Sequence, residues 1–193
     1  DTRDQCGKRM LSKIPITFFC LPGNHEMRPS QELGYVEAAY HGGKVWVQPE
    51  YPNILFAIDG EIYDFMGYSC LVIGGAYSVD KYYRLERGMN WFSDEQPSDA
   101  IKQKVERVLE ERDWRVDVVL SHTCPLRYEP IEVFLPMIDQ RTVDKSTEEW
   151  LDSIEQRLSY KRWYCGHYHT EKKIDKLRFM FKDYELLPRT QEE

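Results

Sequence analysis

No stretch of the 193 residues stays apolar for the ~20 positions a membrane helix requires, and no charged-then-apolar leader opens the chain. A soluble, cytoplasmic protein with no membrane partner is the expectation. A positive surplus is missing too: 26 Lys and Arg face 33 Asp and Glu, giving a net charge of -7 and a pI near 5.4. No general field therefore holds nucleic acid strongly and non-specifically, and any grip on an anion must be local, with bound cations its obvious source. Paired cysteines are lacking as well. Cys6, Cys20, Cys70, Cys124 and Cys165 are odd in number and lie mostly in strand-like runs, so they read as reduced core thiols. Repeats, low-complexity tracts and linkers are absent, and what is present, 41% hydrophobic and 31% charged residues, suits one folded domain over 1–193.

Gln5 to Lys13 reads as a short helix. Ile16 to Leu21 reads as a buried strand that stops abruptly at Pro22-Gly23-Asn24-His25-Glu26. Val45 to Val47, Ile54 to Ile58 and Cys70 to Ile73 are further strand candidates of one sheet region, with Asp59-Gly60 a hairpin turn. Ser98 is placed to cap a helix running to about Arg112, and Ser146 with Glu149 forms a capping box for another through Leu158. Asp117 to Leu120 and Arg162 to Cys165 are strands that end as abruptly as the first, at Ser121-His122-Thr123 and at Gly166-His167-Tyr168-His169. A last strand is expected over Leu177 to Tyr184. The organisation is α/β in layers.

Histidine is scarce, and its placement carries the signal. Four of five (His25, His122, His167, His169) follow a short apolar strand directly, beside Gly, Asn, Ser or Thr; His41, before Gly42-Gly43, reads as a turn residue. Ligand sites in open α/β sheets form at the carboxyl ends of strands, so three such ends delivering imidazole would converge in one crevice. Neutral imidazole with an amide oxygen from Asn24 makes a mixed N/O set suited to Zn, Mn, Fe or Ni. Any one of these histidines alone is more often a hydrogen-bonded surface or core residue; the ordered set points to a metal site.

Gly23-Asn24-His25-Glu26, then His122, then Gly166-His167-Tyr168-His169 resembles the last three signature blocks of the calcineurin-like metallophosphoesterases, more the compact bacterial or phage type than the protein phosphatases. The resemblance implies a two-sheet β-sandwich flanked by helices and two divalent metal ions. It also implies hydrolysis of a phosphomonoester or phosphodiester in a phosphorylated small molecule or nucleotide. Asn24, His122 and His167 would hold one metal, His169 would help hold the other, and His25 would stabilise charge or protonate the leaving oxygen. Two cations ~3.5–4 Å apart would clamp the phosphate oxygens and lower the pKa of the attacking water.

The family's upstream Asp-x-His and Gly-Asp-x-x-Asp blocks are not found intact. The chain is therefore expected to be the C-terminal, larger part of such a domain, lacking its first strands; Asp1-Thr2-Arg3-Asp4 is more often an ordinary polar segment before a helix, and otherwise Asp1 or Asp4 stands in for the bridging carboxylate. The alternative is a truncated or degenerate, non-catalytic metal-binding module with a partial, one-metal site. Lys81, Arg84 and Arg127 are candidates for local positive charge toward a phosphate. Gly74-Gly75 is either a close backbone approach to substrate or a simple turn, and Tyr82-Tyr83 and Trp91-Phe92 are either cleft walls or core.

Overall fold

Short apolar runs broken by Pro, Gly and Asn make short strands, and the computed structural model, which describes residues 2–187, arranges ten of them in two sheets. The first sheet holds β1 (Phe18–Cys20), β2 (Val36–Tyr40), β3 (Gly43–Val47) and β4 (Ile54–Ala57) in the order β1-β4-β3-β2. The second holds β5 (Ile62–Phe65), β6 (Tyr68–Ile73), β7 (Val118–Ser121), β8 (Arg162–Cys165), β9 (Lys172–Ile174) and β10 (Leu177–Phe179) in the order β5-β6-β7-β8-β10-β9. β6, β7 and β8 are parallel, with Ile73 opposite Ser121 and Ser121 opposite Cys165, so three carboxyl ends lie side by side.

Alternation along the strands decides which layer each side chain joins. Leu71, Ile73 and Val119 share a core with Val105 and Leu109 of α3 (Asp99–Glu110) and Leu151 and Ile154 of α4 (Ser146–Glu155), while α2 (Lys81–Glu86) buries no residue. Val72 and Leu120, on the other face, meet Val45, Leu55 and Ala57 of the first sheet. Phe56 points away from that inner core, and α1 (Thr2–Leu11) lays Lys8 over the rings of Phe56 and Tyr35. The result is the expected sandwich of two sheets flanked by helices.

Several local expectations need correction. Val45 to Val47 and Ile54 to Ile58 do not share a sheet with Cys70 to Ile73, because the chain changes sheets after β4. Asp59-Gly60 makes that change and is not a hairpin turn. The hairpin turn is Met66-Gly67 between β5 and β6, where both φ values are positive (57° and 84°), as the tight two-residue connection demands. Ser98 does cap α3, accepting from Ile101 N–H. The Ser146–Glu149 box does not form; Lys145 is the first cap position, and the Asp144 carboxylate accepts from Ser146 N–H at 2.9 Å. A carboxylate two residues upstream thus takes the donor that the box required. The last strand stops at Phe179, five residues short of the expected Tyr184. Cys70, Cys124 and Cys165 are buried, whereas Cys6 is exposed on α1.

Candidate active site

Each strand that ends near the two-sheet junction is followed by a sharp turn, and backbone hydrogen bonds tie these turns together. Gly75 N–H donates to Pro22 C=O at 2.9 Å, His122 N–H to Ile73 C=O at 3.0 Å, and Gly166 N–H to His122 C=O at 3.0 Å. Glycine is needed where the turns touch. A Cβ on Gly74 would stand 2.7 Å from the Pro22 carbonyl oxygen, and one on Gly23 would stand 3.3 Å from His122 Cε1. The close approach at Gly74-Gly75 is thus to the protein's own backbone. Asp59, on the turn between the sheets, accepts from Gly74 N–H and pairs with Arg28, locking the junction from behind.

Asn24, His122 and His167 form the inner part of the site. Asn24 is 7% exposed; its Nδ2 donates to Ser78 Oγ at 2.9 Å, and Ser78 N–H donates to Glu95 Oε1 at 3.2 Å. With the amide nitrogen so engaged, Oδ1 is the group that faces His122 Nε2, at 2.9 Å. The rings of His122 and His167 lie 5.1 Å apart at 64°. Burial, with a smaller contribution from nearby positive charge such as the Arg28 guanidinium acting on His122, pushes His122 down to about 4 and His167 down to about 3. Both are neutral at pH 7, the form that binds a metal. His167 and His169 have φ of 64° and 50°, a left-handed backbone that costs roughly 1–2 kcal/mol for a residue with a Cβ. Such strain concentrates at functional sites.

These residues fit a divalent cation in part. Two donors each ~2.1 Å from one ion and at a right angle stand ~3 Å apart, which matches the Asn24–His122 separation of 2.9 Å. Among the described residues, however, no group of three or more His, Cys, Asp or Glu is able to hold a metal ion. The donors gathered here are an amide oxygen and two imidazoles.

His25 and His169 form an outer part. Arg84 Nη2 lies 3.0 Å from His25 Nδ1; a guanidinium has only donors, so Nδ1 accepts and the proton of the neutral ring sits on Nε2, 3.4 Å from Asp80 Oδ1. Arg84 also binds Asp80 at 2.7 Å and so stands behind His25. The other two candidate cations are engaged elsewhere: Lys81 Nζ lies 4.1 Å over the Trp91 ring, and Arg127 forms a fork with Asp152 and a pair with Glu155. None of the three lines the cleft. His169 is exposed and stacks on Phe181 at 4.9 Å. Asp4 is exposed and pairs with Lys8, and Asp1 lies outside the described residues. His41 occupies a turn, and Tyr82 and Tyr83 face solvent, in neither cleft nor core.

The histidines open into a cleft of about 490 Å³ whose far wall is the segment 129–148, which sequence reading did not mark. Pro130 and Pro136 interrupt it, and its two short 3-10 turns carry no periodic signal. Glu148 is buried in this wall, accepts from Thr123 Oγ1 at 2.7 Å, and is pushed up by burial to about 7. Asp80 was legible in principle, as the first member of an i,i+4 pair with Arg84; Ser78, which orients Asn24, had no signal.

Neither a curated protein nor a solved structure gives a match to this chain. A family model described as calcineurin-like phosphoesterase matches residues 3–171, from α1 through the last strand-end histidine. That span takes in both sheets as far as β8 and every residue of the histidine cluster, so the chain belongs to the calcineurin-like phosphoesterase family, whose general chemistry is metal-dependent hydrolysis of phosphate esters.

Proposed function

We propose that the cleft hydrolyses a phosphomonoester or phosphodiester at a dinuclear metal site, with Asn24, His122 and His167 as ligands of one divalent ion and His169 as a ligand of the other. The observation that carries this reading is the 2.9 Å approach of Asn24 Oδ1 to His122 Nε2, beside a second half-buried, neutral imidazole. When bound, two ions of Mn, Fe, Zn or Ni would polarise the phosphate oxygens and lower the pKa of the attacking water. The chain's own residues supply the rest. Ser78 keeps the Asn24 oxygen aimed inward, and burial keeps both imidazoles unprotonated. His25, with Nδ1 accepting from Arg84, carries its proton on Nε2, beside Asp80 at 3.4 Å on the cleft lining, and donation of that proton to a leaving alkoxide is its role in this reading.

The second reading is a metal-binding module without turnover, favoured by the lack of a three-residue His, Cys, Asp or Glu group among the described residues. Metal content per chain by plasma mass spectrometry, together with aryl phosphate hydrolysis in added Mn, separates the two. Two ions with turnover support the hydrolase. One ion without turnover supports the module, and neither metal nor turnover with any of the four ions sinks both.

A further inference from the structure

We infer that the substrate carries a single anionic group, its phosphoryl ester, and offers the cleft an uncharged, apolar moiety; the inference rests on the histidine cluster being a phosphate-ester site. The wall opposite the histidines presents Val133, Phe134, Leu135, Ile138 and Val143. Phe134 stacks on Tyr168 at 5.9 Å and 15°, and Tyr168 in turn meets the His167 ring at 5.0 Å, so the apolar surface runs up to the inner histidines. Leu135 is 52% exposed, area that a bound apolar group would remove from water.

Histidines aside, the charged side chains that line the cleft have one sign. Asp80, Glu129, Asp144 and Glu148 line the cleft, and among the described residues none of the lining side chains is Lys or Arg. Cations close by are already engaged: Arg84 pairs with Asp80 at 2.7 Å, and Lys145 pairs with Glu129 at 2.6 Å while lying 5.2 Å over the Phe134 ring. A second phosphate or a carboxylate on the substrate would meet Asp80, Glu129 and Asp144 with no free guanidinium or ammonium on the cleft lining, and such like-charge contact is how a site rejects a wrong ligand. Substrates with one phosphoryl group on an aryl or alkyl alcohol fit; nucleoside di- and triphosphates and sugar bisphosphates do not.

Binding of non-hydrolysable phosphonates to the full chain in Mn tests this without requiring turnover. Calorimetry would compare methylphosphonate, benzylphosphonate and 4-(phosphonomethyl)benzoate, whose carboxylate cannot reach the ion that holds its phosphonate. The expected order is benzyl at least tenfold tighter than methyl, and the carboxylated probe at least tenfold weaker than benzyl. Phe134→Ala, or Leu135→Ala at its more exposed neighbour, should erase the benzyl advantage, and Asp144→Asn should narrow the carboxylate penalty. Equal binding of all three probes would overturn the inference and leave the phosphate-ester reading standing. No binding of any phosphonate would overturn that reading and the inference with it.

Discussion

The inner and outer histidines of the cleft come from the same kind of sequence, an imidazole after an apolar strand, yet they are held in different ways. His122 and His167 are half-buried, neutral and stitched to neighbouring strand ends through backbone hydrogen bonds from His122 N–H and Gly166 N–H. His25 and His169 are exposed and held by side chains alone, Arg84 and Asp80 for the first and the Phe181 ring for the second. A group that must bind an ion tightly gains from being fixed before the ion arrives, because its ordering cost is already met in folding. A group that moves a proton gains from access to water and to the leaving atom. The division matches the proposed roles of ligand and proton donor, with His169 the residue that strains it: a ligand by proposal, yet attached like His25.

The largest effect should come from testing that strain directly. His167→Ala removes a pre-oriented ligand and should weaken Mn or Zn binding at the inner site by at least ~100-fold, above the 10–100-fold typical of residues that only orient ligands. His169→Ala should weaken that same inner binding by less than ~10-fold. Titration of metal-free protein by calorimetry measures both. Equal losses in the two variants would break the comparison and make the four histidines one cooperative cluster.

Stability against pH probes the wall behind the inner histidines. Glu148 is 4% exposed and its folded pKa is raised by burial to about 7 from an ordinary 4.5, a shift partly opposed by its hydrogen bond from Thr123. A carboxyl raised in this way contributes full stability below about pH 4.5, and that contribution is lost as pH rises through about 7. The loss amounts to about 3 kcal/mol at 1.36 kcal/mol per pK unit. Glu148→Gln keeps an acceptor for Thr123 and cannot ionise, so it should gain stability relative to the parent between pH 5 and pH 8. Urea unfolding of both proteins across that range checks it; parallel curves would mean that water reaches Glu148 and that the inner wall is no drier than the outer one.

What the sequence made legible follows from the same division. Strand ends that deliver histidine were readable because β7 and β8 contain short apolar or aromatic runs, Val118 to Leu120 and Trp163 to Cys165, that stop at Ser, Gly and His, and such runs mark strands of a buried parallel sheet. β2, β5 and β9 were not readable: Val36–Tyr40 is mostly exposed or half-buried, and Lys172–Ile174 carries two lysines, so pairing with neighbours rather than intrinsic pattern makes them strands. Asp59 looked like a turn residue because Asp-Gly is a turn pair. Only the packing of two sheets turns it into the buried partner of Arg28 and of Gly74 N–H. The candidate cations failed to separate for a similar reason. Arg84 and Arg127 are alike in sequence, and the carboxylates that claim Arg127 lie 25 and 28 positions away, at Asp152 and Glu155.

The smallest effect, on the outer part, should come from Arg84. Its guanidinium fixes Nδ1 of His25 as an acceptor, so removing it leaves the ring free to place its proton on either nitrogen. Loss of one such hydrogen bond at an exposed site is worth about 1 kcal/mol, or roughly fivefold in rate. Arg84→Ala should therefore lower kcat for an aryl phosphate by about fivefold with metal content unchanged, and Arg84→Lys should restore only part of it, since an ammonium cannot reach Asp80 and His25 with one planar fork. Nitrogen-15 spectra of the histidine ring give a readout independent of turnover: a pure Nε2–H form in the parent and a mixture in Arg84→Ala. Should the spectra stay the same, Asp80 alone orients His25, and the outer part is better anchored than its exposure suggests.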